Sequence, residues 1–259
     1  MGQKERVVPS QKVRAKSVRD AVVHVRRELQ AQARPAGEFD PSRYFRTTER
    51  MAFLNVRTPI VRALARQVGR DHRTLWTLDD AVAFADALLR NRTLEVKGAG
   101  IETLACFKRD FEPSLLATAK RWLADDLAAN WATTDSLCGS IISPLLHAHP
   151  ELVPRVASWV THRNLWVRRA AAVSLVRLAA HGEYLDTAYE VADALRPDSH
   201  DLIHKATGWL LREAGRRDAK RLERYLLEHG TSIPRTTIRY AIEKFPVDAR
   251  KRLLLQTRG

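Results

Sequence analysis

The chain has 259 residues, 45% of them hydrophobic, and a formal charge of +14. That hydrophobic share excludes an intrinsically disordered chain, and the length suffices for one large domain or an extended repeat array. So large a positive surplus points to a polyanionic partner, nucleic acid before an anionic membrane surface.

Cys106 and Cys138 stand in unrelated contexts with no CxxC spacing, which excludes a cysteine-built zinc site and fits a reducing compartment. No apolar run approaches the length of a membrane span, and the basic N-terminus lacks the apolar core of a secretory signal. No membrane partner is expected.

Residues 1–15 are polar and basic with Pro9 among them, and read as a flexible arm. Val18, Ala21, Val22, Val25 and Leu29 recur at helical spacing and predict a first amphipathic helix. Pro35 and Gly37 mark a loop. Asp40-Pro41 then opens a helix, with Asp as N-cap and Pro in the first turn. Thr58-Pro59 starts another, running to about Gly69. Thr77-Leu78-Asp79-Asp80 starts the next, through Phe84, Ala85, Leu88 and Leu89.

Helical segments follow near 95–109, 113–127, 130–147, 150–161, 164–181, 184–196, 199–214, 218–229 and 234–245, joined by short connectors. No segment alternates like a strand. The expected fold is all-α, a HEAT-like or armadillo-like helical repeat superhelix (α-solenoid) over residues 16–250, with a basic tail at 251–259. Such an array exposes a concave groove, here basic and suited to DNA. A compact helical bundle is the competing fold.

Within segment 130–147, Asn130-Trp131-Ala132-Thr133-Thr134-Asp135 places a ring and a carboxylate one turn apart on one helix face. Asp is poor inside a helix, so its alternatives are a solvated face or a cap. Trp76, Trp122 and Trp159 lie in mostly apolar surroundings and read as core; Trp166 is a mixed case, also read as core.

Further motifs follow in order: Asn164-Leu165-Trp166-Val167-Arg168-Arg169-Ala170-Ala171, His204-Lys205-Ala206-Thr207-Gly208-Trp209-Leu210-Leu211-Arg212-Glu213, and Pro234-Arg235-Thr236-Thr237-Ile238-Arg239-Tyr240. Tyr44-Phe45-Arg46 and Phe53-Leu54-Asn55-Val56 precede them. Together they resemble the AlkD-like DNA alkylation-repair family, over roughly residues 40–250. Its members are DNA glycosylases with a HEAT-like repeat fold that excise purines alkylated at N3 or N7.

The resemblance implies a monofunctional DNA glycosylase acting on cationic alkylpurines in duplex DNA, monomeric, without a cofactor, in a bacterial cytosol or nucleoid. It maps the catalytic residues to Asp135, Trp131 and Trp209, and the phosphate-gripping arginine to Arg169 beside Arg168. Tyr44 is matched to an aromatic lining the groove. Lys205 and Arg212 flank Trp209 on its helix face and read either as a backbone clamp or as an ordinary solvated basic face. The family is known for holding its lesion without a snug base pocket, so bulky adducts are within scope, as is self-resistance to a DNA-alkylating natural product. Asn130 and Ala132 depart from the family pattern, which has an aromatic and a polar residue there.

The chemistry suits these residue types. An N3- or N7-alkylated purine is already a good leaving group. The enzyme must stabilise positive charge growing on the deoxyribose and hold a water, and a carboxylate near C1′ does both. Tryptophan faces attract cations. His147-Ala148-His149 has no partner set and reads as no metal site. No lysine stands out as a Schiff-base nucleophile. The rival reading is a non-catalytic HEAT-like module that binds DNA structure or a protein partner.

Overall fold

The computed structural model of the chain describes residues 9–35 and 51–258. Every regular element among the described residues is helical, and extended backbone pairs only in an isolated bridge between Ala52 and Thr93. The fold class is all-α, as expected. The chain divides into two compact units. The first comprises Met1–Glu112 and Leu127–Ser136, the second Pro113–Asp126 and Leu137–Gly259.

The first unit opens with α1 (Gln11–Ala31), which buries Val18, Ala21, Val25 and Leu29. The helix starts inside the arm expected over residues 1–15, because Pro9 precedes the N-cap Ser10 and leaves the helical hydrogen bonds intact. The helix start expected at Asp40-Pro41, and Tyr44 with it, lie outside the described residues.

Pro59 sits in the first turn of α2 (Thr58–His72). A capping box begins α3 (Leu78–Leu89): Thr77 Oγ1 accepts from the Asp80 N–H, and Asp80 accepts the Thr77 N–H at 2.9 Å. Arg14 of α1 donates to the same carboxylate at 2.8 Å. Packed against α1, α2 and α3 is α4 (Leu94–Leu104). A Cβ at Gly100 would lie 3.0 Å from Leu88 Cβ and 3.3 Å from the Ala85 carbonyl, so Gly100 serves the close packing of α4 on α3. Trp76 ties the core together, its ring 5.1 Å from Phe84 and 6.3 Å from Phe107.

The second unit begins with α5 (Leu115–Ala124). The chain returns to the first unit for most of α6 (Trp131–Leu137), then continues through a π-helical segment (Cys138–Ile142) into α7 (Ser143–Ala148). A short α8 (Val153–Ala157) lies between two 3-10 turns. The helix expected over 164–181 is two, α9 (Leu165–Val173) and α10 (Val176–His181). After α11 (Leu185–Leu195), α12 (Asp201–Gly215) forms the centre of this unit, in contact with α9, α10, α11, α13 (Ala219–His229) and α14 (Arg235–Ala241).

Where a basic tail was expected from residue 251, the chain forms α15 (Val247–Gln256). Leu253 is fully buried, and the Arg235 guanidinium donates to the Leu254 carbonyl at 3.0 Å and to Thr257 Oγ1 at 3.0 Å. An apolar anchor and a carbonyl-capping arginine thus hold this end of the chain.

Candidate active site

Asn130 explains why α6 begins where it does. Its Oδ1 accepts the Thr133 N–H at 2.8 Å, and its Nδ2 donates to Thr133 Oγ1 at 2.8 Å. Thr134 Oγ1 donates back to the Ala128 carbonyl at 2.7 Å. Asn130 is only 2% exposed. The residue that departs from the family's aromatic is therefore the helix cap, worth about 1 kcal/mol.

The cap sets the phase of everything after it. Asn130, Thr133, Thr134 and Leu137 turn inward, while Trp131, Ala132, Asp135 and Ser136 are half-buried. Trp131 and Asp135 thus share the face of α6 that solvent reaches, one turn apart.

The π-helical segment directly after α6 has a covalent cause. Pro144 has no N–H, and its ring collides with the carbonyl four residues back in a regular helix. The turn widens, and the Ser143 N–H reaches the Cys138 carbonyl instead. The Gly139 carbonyl then has no donor four or five residues on, and Arg177 supplies one at 2.7 Å. Wide turns of this kind often accompany functional sites.

In the second unit, Asn164 caps α9, accepting from the Trp166 N–H at 2.8 Å. Arg168 donates through Nε to Asp198 at 2.7 Å and through Nη1 to the His162 and Arg163 carbonyls at 2.9 and 3.0 Å. It clamps the loop ahead of α12. Arg169 is 5% exposed and donates to the Leu202 carbonyl in the first turn of α12. Burial, with Lys120, Arg163 and Arg168 nearby, pushes the His162 ring below its ordinary pKa.

Lys205, Trp209 and Arg212 are all half-buried and share one face of α12. Lys205 pairs with Asp201 at 2.7 Å; Arg212 pairs with Glu213 at 3.1 Å and with Glu243 beyond α14. A phosphate arriving at this face competes with carboxylates already in place. Arg212 draws the Glu243 carboxyl below the ordinary carboxylate range.

The hydrogen bond from Lys205 lowers the Asp201 carboxyl in the same way, against a smaller opposing effect of burial. Its native pKa lies below the unfolded value, so its contribution to stability is complete above the ordinary carboxylate range. That contribution drains away as acid carries the solution down through the lowered native value. Lys205→Met is expected to return Asp201 toward an ordinary carboxylate pKa, read directly by NMR titration.

The structure thus brings Trp131 and Asp135 together in the first unit. In the second, Lys205, Trp209 and Arg212 share α12, with Arg168 and Arg169 fixing its start. Trp76, Trp122, Trp159 and Trp166 are all buried, and Trp131 and Trp209 are the two tryptophans that reach solvent. Among the described residues no group of three or more His, Cys, Asp and Glu side chains could hold a metal ion. No helix among them is long and apolar enough to cross a membrane.

Three contributors went unread in the sequence. Lys97 is 8% exposed, and its one visible signal was a single charge between Val96 and Gly98 in an apolar run. Arg177 answers a wide turn that Pro144 alone announces. Glu95 accepts the Leu54 and Val56 N–H groups at 3.1 and 3.3 Å, and gave no sequence signal beyond its charge.

Packed helices with no sheet among the described residues match the all-α fold of DNA alkylation repair proteins. A solved structure described as a predicted DNA alkylation repair enzyme from Enterococcus faecalis shares it, with a TM-score of 0.68 over 88% of this chain and 96% of that one, at 16% identity. The chain belongs to the DNA alkylation repair enzyme family, whose sequence profile matches residues 25–245. No curated protein matches it.

Proposed function

We propose that this protein is a monofunctional DNA glycosylase that hydrolyses the N-glycosidic bond of cationic N3- or N7-alkylated purines in duplex DNA. The observation that carries the reading is the pairing of Trp131 with Asp135 on the solvent-reaching face of α6, in a chain of the alkylation-repair family. A carboxylate on a DNA-facing surface opposes polyanion binding, so catalysis gives that charge a use that recognition alone does not.

In this reading Asp135 stabilises the positive charge growing at C1′ and accepts a proton from the attacking water. Trp131 and Trp209 offer their negative faces to the charged nucleotide. Lys205 and Arg212 exchange their carboxylate partners for phosphates. Arg169 contributes from within, ordering the first turn of α12 and fixing register on the backbone. Arg168, with Nε and Nη1 bonded inside the protein, supports the same loop. A leaving group that already carries charge needs no protonation, so neither a metal nor an organic cofactor enters the scheme.

Single-turnover release of free base from duplexes containing N7-methylguanine or N3-methyladenine tests this. Release at rates well above spontaneous depurination is the expected result. Tight, salt-sensitive binding with no release of these bases, nor of a bulky N7 or N3 adduct, leaves a non-catalytic DNA-binding module as the better account.

A further inference from the structure

The mechanism above makes no use of Lys97, a buried lysine of the first unit. Lys97 lies on α4, and its ammonium donates to the Leu89 carbonyl at the end of α3 and to the Leu127 carbonyl at 2.7 Å. Leu127 opens the short turn that leads into α6. The next residue, Ala128, carries the second set of polar contacts. The Asn130 N–H and Thr134 Oγ1 both reach the Ala128 carbonyl, at 2.8 and 2.7 Å, and Asn130 caps Thr133. Thr134 is fully buried and directly precedes Asp135. The ammonium thus ties the end of α3 to the Leu127 turn, and the covalent backbone joins that turn to the hydrogen-bonded start of the helix bearing the carboxylate.

We propose that Lys97 is a positioning residue: its ammonium locks the Leu127 turn to the end of α3 and so fixes the rotation of α6 that presents Trp131 and Asp135. A helix start is a sensitive place for such a lock. A small rotation there swings every later side chain, and a misplacement of about 1 Å at a reacting group can cost roughly a hundredfold in rate. A buried ammonium bonded to two carbonyls is directional where apolar packing is not, which suits it to setting an angle. Glu95, two residues earlier on α4, holds the Leu54 and Val56 N–H groups, so α4 serves as the reference for two connectors. The catalytic meaning of the lock rests on the glycosylase reading; the lock itself does not.

The test has two readouts. Amide hydrogen exchange in Lys97→Met, well below its melting temperature, is expected to quicken about tenfold or more at residues 128–136, with α12 unchanged. Single-turnover base release is expected to fall by about tenfold or more, with duplex affinity within about threefold of wild type. Thr134→Val removes the hydroxyl from the Ala128 carbonyl at nearly constant volume and is expected to loosen the same segment. It carries the test alone if Lys97→Met does not fold. Unchanged exchange at residues 128–136, or loosening spread evenly over the first unit, would overturn the proposal. A wild type that releases no base defeats the glycosylase reading instead, and the exchange data still decide the lock.

Discussion

Asp135→Asn is expected to slow release of N7-methylguanine by about a hundred- to a thousandfold while leaving duplex binding intact or slightly tighter. The substitution keeps the shape of the side chain and removes its charge. Asp135 is half-buried and beside Trp131, so part of its surroundings is protein rather than water, and charge counts for more there. Removing one preorganised electrostatic group costs on the order of 3–4 kcal/mol of transition-state stabilisation, which is the stated fall in rate. Binding moves the other way because the DNA backbone repels a carboxylate. A variant that loses affinity and rate in parallel would make Asp135 a structural residue and remove it from the chemistry.

Gly208→Ala is expected to lower the melting temperature by several degrees. A Cβ at Gly208 would lie 2.6 Å from the Thr237 carbonyl oxygen and 2.5 Å from Tyr240 Cβ. Both belong to α14, and the first is backbone, so no rotamer change relieves the clash and α12 and α14 must separate. Overpacking of this kind costs about 1–3 kcal/mol, roughly 2–4 °C of melting temperature for each kcal/mol in a chain of this size. Gly215 offers a contrast. Its would-be Cβ meets Leu222 Cδ2 first, the movable end of a side chain, so Gly215→Ala is the milder change. Circular dichroism melts of the two variants rank them. Because Gly208 immediately precedes Trp209, the shifted α12 is also expected to weaken duplex binding.

Much of the fold was legible because its starts are chemical. The Thr77–Asp80 capping box and Pro59 mark α3 and α2 in the sequence as clearly as in the structure. The break between α9 and α10 was not legible, because Ala172-Val173-Ser174-Leu175-Val176 contains no glycine or proline to announce it. At the C-terminal end, Lys and Arg suggested a basic tail, whereas the buried Leu253 and the Arg235 hydrogen bonds hold a helix there.

The candidate site divides the same way. Surroundings separated the packing tryptophans from the two that reach solvent. The partners of Arg168, Arg169 and Lys97 include backbone carbonyls from distant turns, and a carbonyl leaves no mark in a sequence. The role of Asn130 was hidden for another reason. A substitution judged against a family pattern looks like a loss of an aromatic, whereas locally it is a gain of a cap.

The first unit also has a schedule. Its acceptor for Lys97, Leu127, is thirty residues further along the chain, after Pro113–Asp126 has been set aside for the other unit. At about 5–20 residues per second, a ribosome takes roughly 1.5–6 s to supply that carbonyl. Until then the ammonium has only part of its final coordination, and a nascent chain ending at Glu112 lacks the strip that completes the unit. The segment bearing Trp131 and Asp135 is therefore the last piece the first unit receives.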